Sequence, residues 1–333
     1  MKILVILTGG TIACKTKDNI MNTNNYTAYD ILRLYNSTHP NNIDFVTVQP
    51  FTILSENYTS NTYNILIDYL YKCCFSEYDG VIITHGSDTL SYTSALVAML
   101  LNNVTIPVVL TAADYPLANP LSNGLSNFSA SVEFIKSNIS SGIFTAYGIQ
   151  NHTQIYLATR IKEADPFSDN FTECGNGIAA QVTDNKISCT NENLINQIGI
   201  EKEQIFQNKP TINNDILLLK TYPNQNFNCY CIDGFKAVII YMYHSATACT
   251  VGNNTNILRF IEKCNNIGVD VHLASFKNKE DEYVTSYEIE KLKVNKLYNI
   301  SKESAYIKAL LAYNQASYAP LSIMNTDIYF EFQ

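Results

Sequence analysis

Arginine, a cysteine framework and long apolar runs are all scarce in this sequence. Only three arginines occur among 333 residues, Arg33, Arg160 and Arg259, and the formal net charge is -8. A nucleic-acid-binding surface needs clustered cations, because phosphate neutralisation carries its affinity. The absence of such a cluster argues against nucleic acid as a partner. No stretch approaches the roughly 18 to 20 apolar residues of a membrane helix, which argues against a membrane. The first apolar run is too short for the core of a signal peptide and runs straight into Gly9-Gly10. The nine cysteines are odd in number. Cys73 and Cys74 are adjacent, and one residue separates Cys229 from Cys231. Neither spacing is that of a zinc site or a disulfide framework. Reduced thiols in the cytoplasm are the expectation.

What is present fits a folded globular protein. Hydrophobic residues make up 46% and charged residues 16%, a balance that supports a packed core. A chain of this length is expected to divide into two domains. Lys2–Leu7 is a continuous apolar run ending at paired glycines, and reads as a buried parallel strand. Gly80–Thr84 and Pro107–Thr111 read the same way. Between them, residues 87–101 open with cap-type residues and continue as an apolar helix, which makes a βαβ unit. Further on, 216–219, Ala237–Tyr241 and 269–274 read as strands, and 256–265 and 304–313 as helices. The expected architecture is α/β. It has a larger, mostly parallel-sheet N-terminal domain (1–190), a connecting segment (191–213) and a smaller C-terminal α/β domain (214–333).

Two strands end in unusual turns. The first leads into Thr8-Gly9-Gly10-Thr11-Ile12, where paired glycines permit a sharp bend and leave a hydroxyl at its tip. The second leads into His85-Gly86-Ser87-Asp88-Thr89, which sets a hydroxyl and a carboxylate at a helix N-terminus. In open α/β sheets, ligands sit beyond the carboxyl ends of strands. Each feature alone has a plainer reading. The glycine pair makes a structural or dinucleotide turn, Ser87-Asp88 caps a helix, His85 packs in a core, and Lys162 is a solvated surface residue. Together, on strands expected to be neighbours, the turns supply a hydroxyl nucleophile, oxyanion donors and a carboxylate for a substrate ammonium.

With those residues in view, the sequence resembles the bacterial-type L-asparaginases. That family carries a Thr-Gly-Gly-Thr-Ile turn and a His-Gly-Thr-Asp-Thr turn, matched here at Thr8–Ile12 and His85–Thr89. The resemblance is good over about the first 190 residues and looser beyond. It implies a two-domain asparaginase-like fold, with Thr11 as nucleophile and Tyr26 as the loop tyrosine that closes over the substrate. It implies that Ser55 holds the α-carboxylate, and that Glu56 stands where a glutamine often helps bind the α-amino group. Ser87 matches the second threonine, Asp88 the ammonium-binding aspartate, and Lys162 the lysine that pairs with both. Ala113 falls where a backbone carbonyl meets the leaving amide. By the same resemblance no metal or organic cofactor is required, and the chain forms a homodimer or homotetramer.

Four departures stand out. Ser87 replaces threonine, Thr111-Ala112-Ala113-Asp114 replaces a glycine- and glutamine-rich turn, and Asn123 stands where the family usually has aspartate. Tyr243-His244-Ser245-Ala246-Thr247 lies where a Gly-x-Gly-Asn turn is expected. The expected activity is hydrolysis of L-asparagine to aspartate and ammonia through an acyl-enzyme in the cytoplasm. The alternatives are a glutaminase or hydrolase of another small amino-acid carboxamide, and a non-catalytic amino-acid-binding protein. A dinucleotide-binding dehydrogenase would need a third glycine, where the turn continues Ile12-Ala13-Cys14. The tRNA-linked amidotransferase relatives are disfavoured because the chain starts directly at its first strand.

Overall fold

The computed structural model describes residues 1–17, 20–23, 27–39, 42–149, 152–198, 203–277 and 282–333. The chain divides into two compact units, Met1–Lys209 and Pro210–Gln333. Each is built on its own sheet.

In the first unit β1 (Lys2–Leu7) is followed by a small hairpin, β2 (Cys14–Lys17) and β3 (Ile20–Thr23). Then come β4 (Asp44–Val48), β5 (Gly80–Thr84), β6 (Pro107–Thr111), β7 (Gly142–Ile149), β8 (His152–Leu157), β9 (Ile178–Thr183) and β10 (Lys186–Cys189). Eight strands form one sheet in the order β10-β9-β8-β7-β6-β5-β1-β4. Neighbours from β4 through β7 are parallel, and those from β7 through β10 antiparallel. Ile3 to Leu7 have no exposed surface, as expected of a strand written as an unbroken apolar run.

The order of strands places the site. From β1 the chain passes to β4 on one side, then to β5 on the other. Such a reversal opens a crevice beyond the carboxyl ends of the two strands. β1 and β5 pair with Leu7 opposite Thr84, so the turns that follow leave the sheet side by side.

Among its described residues this unit has four longer helices: α1 (Asp30–Thr38), α2 (Ser60–Lys72), α3 (Leu90–Leu100) and α4 (Gly124–Ser137). α2 opens on a capping box formed by Thr59 and Thr62. α4 stops at Asn138, whose left-handed φ of 51° ends the helix. Every residue of α3 except Tyr92 is buried, the pattern of a helix that is apolar all round. It begins three residues later than the sequence suggests, because Ser87–Thr89 turn before the first helical hydrogen bond.

The second unit holds four parallel strands in sequential order: β11 (Ile216–Lys220), β12 (Ala237–Tyr241), β13 (Asp270–Phe276) and β14 (Asn295–Tyr298). Val238, Ile240 and Leu273 share a core with Phe260 and Ile261 of the helix Ile257–Asn266. That helix starts at Asn256, whose side chain accepts from the Leu258 amide at 2.8 Å. In the segment 243–247, where the resemblance calls for glycine, Ala246 takes the left-handed region itself with φ 59°. The Ala246 and Tyr243 amides close the turn onto the carbonyls of Tyr243 and Thr247.

The end of the chain is held by an ion pair without solvent contact. Lys308 lies 2.5 Å from Glu331, and both side chains are fully buried. Glu331 also accepts from the amides of Ile328 and Tyr329, and Lys308 donates to the Thr326 carbonyl. Removing one partner strands a buried charge. Lys308→Met is therefore expected to lower stability by about 3–5 kcal/mol in urea denaturation. A loss below about 1 kcal/mol would contradict this account of the pair.

Candidate active site

The turns after β1 and β5 touch through glycine. A Cβ placed on Gly10 would lie 2.3 Å from the Gly86 nitrogen, and one on Gly9 would lie 2.4 Å from the Ile53 carbonyl oxygen. A Cβ on Gly86 would lie 2.4 Å from the Ser55 hydroxyl. Gly9 and Gly10 also take φ values of 109° and 74°, which side-chain-bearing residues rarely adopt. Three segments thus meet with no space for a side chain between their backbones. Polar ties hold them. The Thr8 hydroxyl donates to the Thr84 carbonyl at 2.7 Å and accepts from Tyr58 at 3.0 Å. The Gly10 amide donates to the Ile53 carbonyl at 3.0 Å, and the Thr89 hydroxyl to the Ser55 carbonyl at 3.0 Å.

Thr11 is the first residue past the Gly10 contact and is half-buried. Ser87 is the first past the Gly86 contact, and Asp88 beside it is exposed. Neither Ser87 nor Asp88 caps α3. The N-cap position belongs to Thr89, which makes no side-chain cap. Among the described residues the amides of Thr11, Ser87 and Asp88 donate no hydrogen bond. Free amides in adjacent turns form a place for an oxyanion or a carboxylate.

Ser55 and Glu56 lie beside these turns. The Ser55 hydroxyl is buried and has no well-formed hydrogen bond, although it is near enough to Asp88 to favour its carboxylate. A buried hydroxyl without a partner is unusual and points to a group that binds there. Although Asp88 reaches solvent, its carboxyl is partly desolvated against the turn and is raised above its ordinary range, first by that burial and then by the Glu56 charge. Cys14 sits just behind Thr11 and is pushed up to about 11, by burial and then by Glu56. It therefore stays a protonated thiol at neutral pH.

A cleft of about 360 Å³ opens beside Ser87 and Asp88. Asp114, Tyr115, Tyr147, residues 163–166 and Asp169 complete its walls, and among the described residues no lysine or arginine lines it. Glu163 is oriented by the Tyr92 hydroxyl, which donates to it at 2.6 Å. A groove of similar size, lined by residues such as His39, Ser126 and Asn185, includes no residue of either glycine turn.

The remaining expected residues fall as follows. Lys162 is half-buried next to Glu163, and its amide donates to the Thr172 carbonyl. Among the described residues its ammonium makes no hydrogen bond or ion pair with Ser87 or Asp88. Ala113 is fully buried and does not line the cleft. Tyr26 lies outside the described residues. Tyr115, Tyr147 and Glu163 are cleft residues that no sequence motif singles out, and Asp114 is marked only as part of a departure from the family turn.

A sequence profile described as "Asparaginase, N-terminal" matches residues 2–194, more than half of the chain. The chain belongs to the asparaginase family. Among asparaginase-family relatives, an L-asparaginase of Thermococcus kodakarensis is 32% identical over 173 residues, 49% of this chain and 48% of the relative. A glutamyl-tRNA(Gln) amidotransferase subunit of Methanosphaera stadtmanae is 27% identical over 227 residues, 66% of this chain and 50% of the relative. The chain spans about half the length of these relatives. The solved structure of the thermostable L-asparaginase from Thermococcus kodakarensis superposes with a TM-score of 0.79 at 19% identity, covering 100% of this chain and 99% of that one. A probable cytoplasmic L-asparaginase from Campylobacter jejuni gives 0.74 at 19% identity, covering 99% of each. These likenesses show an asparaginase-type α/β fold, with a large mostly parallel sheet and a smaller parallel one. No helix among the described residues is long and apolar enough to cross a membrane.

His85 braces the second family turn from beneath. It has no exposed surface, and its ring lies 4.7 Å from that of Tyr58. Its Nδ1 is 2.8 Å from the Gly86 carbonyl, which only accepts, so Nδ1 carries the proton and Nε2 a lone pair. Burial pushes its pKa down from 6.5 to about 4. The unfolded chain therefore binds this proton at a higher pH than the folded one does. Stability from the neutral ring is fully present above pH 6.5 and is lost as pH falls towards 4. The loss is on the order of 3 kcal/mol. Chemical denaturation of His85→Asn should show a flatter decline across that window than the parent. An unchanged decline would contradict the assignment.

Proposed function

We propose that this chain is an amidohydrolase acting on the side-chain carboxamide of a small amino acid, L-asparagine first. One observation carries the reading. A buried hydroxyl with no well-formed hydrogen bond, Ser55, sits where the Gly10 and Gly86 turns touch, with free amides on both turns and carboxylates at 56 and 88. The hydroxyl and amides suit a substrate α-carboxylate and a developing oxyanion. Glu56 and Asp88 are close enough to raise the Asp88 pKa, so a substrate ammonium beside them relieves their repulsion.

In this scheme the Thr11 hydroxyl attacks the carboxamide carbon. The oxyanion collapses, the C–N bond breaks, and the nitrogen leaves as ammonia after taking a proton. Water then attacks the ester, releasing aspartate and restoring Thr11. Ser87 and Lys162 are assigned to the water step, and Tyr26 to activation of Thr11. Ala113 keeps the role of carbonyl acceptor, which requires its carbonyl to become accessible to the substrate. The scheme is complete with side-chain and backbone groups. A cytoplasmic homodimer or homotetramer belongs to the same proposal.

A second reading has support from the likeness to the amidotransferase protein over 66% of the chain. The chain would then release ammonia for a partner enzyme. Purified chain alone separates the two. Steady ammonia release from free asparagine, faster than from glutamine, supports the first reading, because an added methylene displaces the amide from a fixed nucleophile. Equal or faster release from glutamine would overturn the preference, and activity only on N-blocked amides would remove the role of Asp88.

Two substitutions test the chemistry. Thr11→Ala should abolish ammonia release while changing stability by less than about 0.5 kcal/mol, since Thr11 is a half-buried turn residue. Ser87→Ala should cut the rate by about 10²–10³, as loss of one preorganised donor does, and Ser87→Thr should stay active. Because Ser87 does not cap α3, the alanine variant should melt near the parent. A fully active Ser87→Ala enzyme would strip the serine from the mechanism.

A further inference from the structure

The turn that leaves β6 is gripped from both sides by two buried asparagines. Asn123 precedes α4 and Asn127 lies one helical turn on, so both present the same face. Asn123 is 4% exposed and Asn127 is 0% exposed. The Asn127 amide donates to the Ala112 carbonyl at 3.0 Å, and its oxygen accepts from Thr153 at 3.1 Å. The Asn123 side-chain oxygen accepts from the Asp114 amide at 2.9 Å, and its NH2 donates to the Gly148 carbonyl at 2.8 Å. The Asn123 backbone amide donates in return to the Asp114 carboxylate at 3.1 Å. Ala113 is thus bracketed, and the next two residues, Asp114 and Tyr115, form part of the cleft wall.

We propose that Asn123 is a positioning residue whose neutral amide sets the Asp114–Tyr115 wall of the cleft, and that Asp114 is the reason an amide stands there. This rests on the amidohydrolase reading for its effect on substrate. A carboxylate at 123 still accepts from the Asp114 amide. Its second oxygen would face the Gly148 carbonyl, an acceptor against an acceptor, with the Asp114 carboxylate alongside. The other groups near it offer no cation. The Tyr147 hydroxyl, kept neutral by burial, lies near enough to the Asn123 side chain to donate to a carboxylate there but brings no positive charge; Asp169 adds negative charge near Tyr147, and His152 on β8 is engaged with Thr183. Protonating the new carboxyl would give it a hydrogen to donate to Gly148, which restores the grip.

The test is therefore a pH profile of Asn123→Asp. At pH 8 its kcat/KM for asparagine should fall about tenfold or more, mainly through KM, because a wall displaced by a fraction of an ångström misplaces the amide. The ratio to the parent should recover as pH is lowered to about 5.5, where a carboxyl crowded by like charge regains its proton. Asn123→Ala adds no charge, so it should lose activity with no acid recovery. Hydrogen exchange over residues 111–118 reads the grip without any substrate. Relative to the parent it should rise in Asn123→Asp at pH 8 and return at low pH. If the parent releases no ammonia from any amide, the functional reading fails, and the exchange measurement alone decides the positioning claim. A parent-like pH profile with parent-like exchange in Asn123→Asp would overturn it. Should that variant not fold, parent-like activity and exchange in Asn123→Ala would overturn it equally.

Discussion

At the crevice of the first unit, Gly10 packs on the backbone of Gly86, Gly9 on that of Ile53, and Gly86 on the Ser55 side chain. Steric exclusion at these contacts is the constraint on which the site depends. Any side chain at Gly10 would overlap the His85–Gly86 peptide, so the turns after β1 and β5 can approach only because two of the meeting residues have no Cβ. The hydrogen bonds among Thr8, Thr84, Tyr58 and Ile53 then fix the distance that sterics permit. Parallel pairing of β1 with β5 brings the turns together, and the reversal of strand order leaves the crevice into which they open.

Electrostatics follow from that packing. Bringing Ser55-Glu56 against the second turn partly desolvates Asp88 and sets a second carboxylate near it, and these two effects, in that order, raise the Asp88 carboxyl. The same approach leaves a thiol, Cys14, and an imidazole, His85, in surroundings that keep both neutral. The cleft beside them is acidic, with Asp88, Asp114, Glu163, Asp165 and Asp169 on its walls. The Asp165 carboxyl is held below its usual range, chiefly by the Phe167 amide, so its charge persists. A site of this kind favours a substrate that brings an ammonium group and disfavours an extra negative charge.

Much of this was legible in the sequence, for identifiable reasons. β1, β5 and β6 are unbroken apolar runs, and each sits where its run begins and ends. Paired glycines between an apolar strand and a hydroxyl residue marked the first turn, and His85-Gly86-Ser87-Asp88 marked the second. Less visible were β7 to β10, where threonine, glutamine and tyrosine mix with apolar residues and the sheet turns antiparallel. Asn123 stands out only as a departure from an aspartate and Asn127 not at all, because a buried amide announces itself only through partners distant in sequence. Lys308 and Glu331 are hidden for the same reason, each appearing charged and solvated until the fold pairs them. Ser87 and Asp88 carried a cap signature that the chain does not use, since α3 starts at Leu90.

The central claim is that Thr11, presented by the Gly10–Gly86 contact, becomes covalently acylated during turnover. Rapid acid quench of the enzyme with asparagine, followed by peptide mass spectrometry, tests it most directly. The account predicts an aspartyl adduct on the peptide that carries Thr11, formed in the first turnover and absent from Thr11→Ala. An adduct on Ser87 instead, or steady ammonia release with no adduct at any side chain, would contradict it.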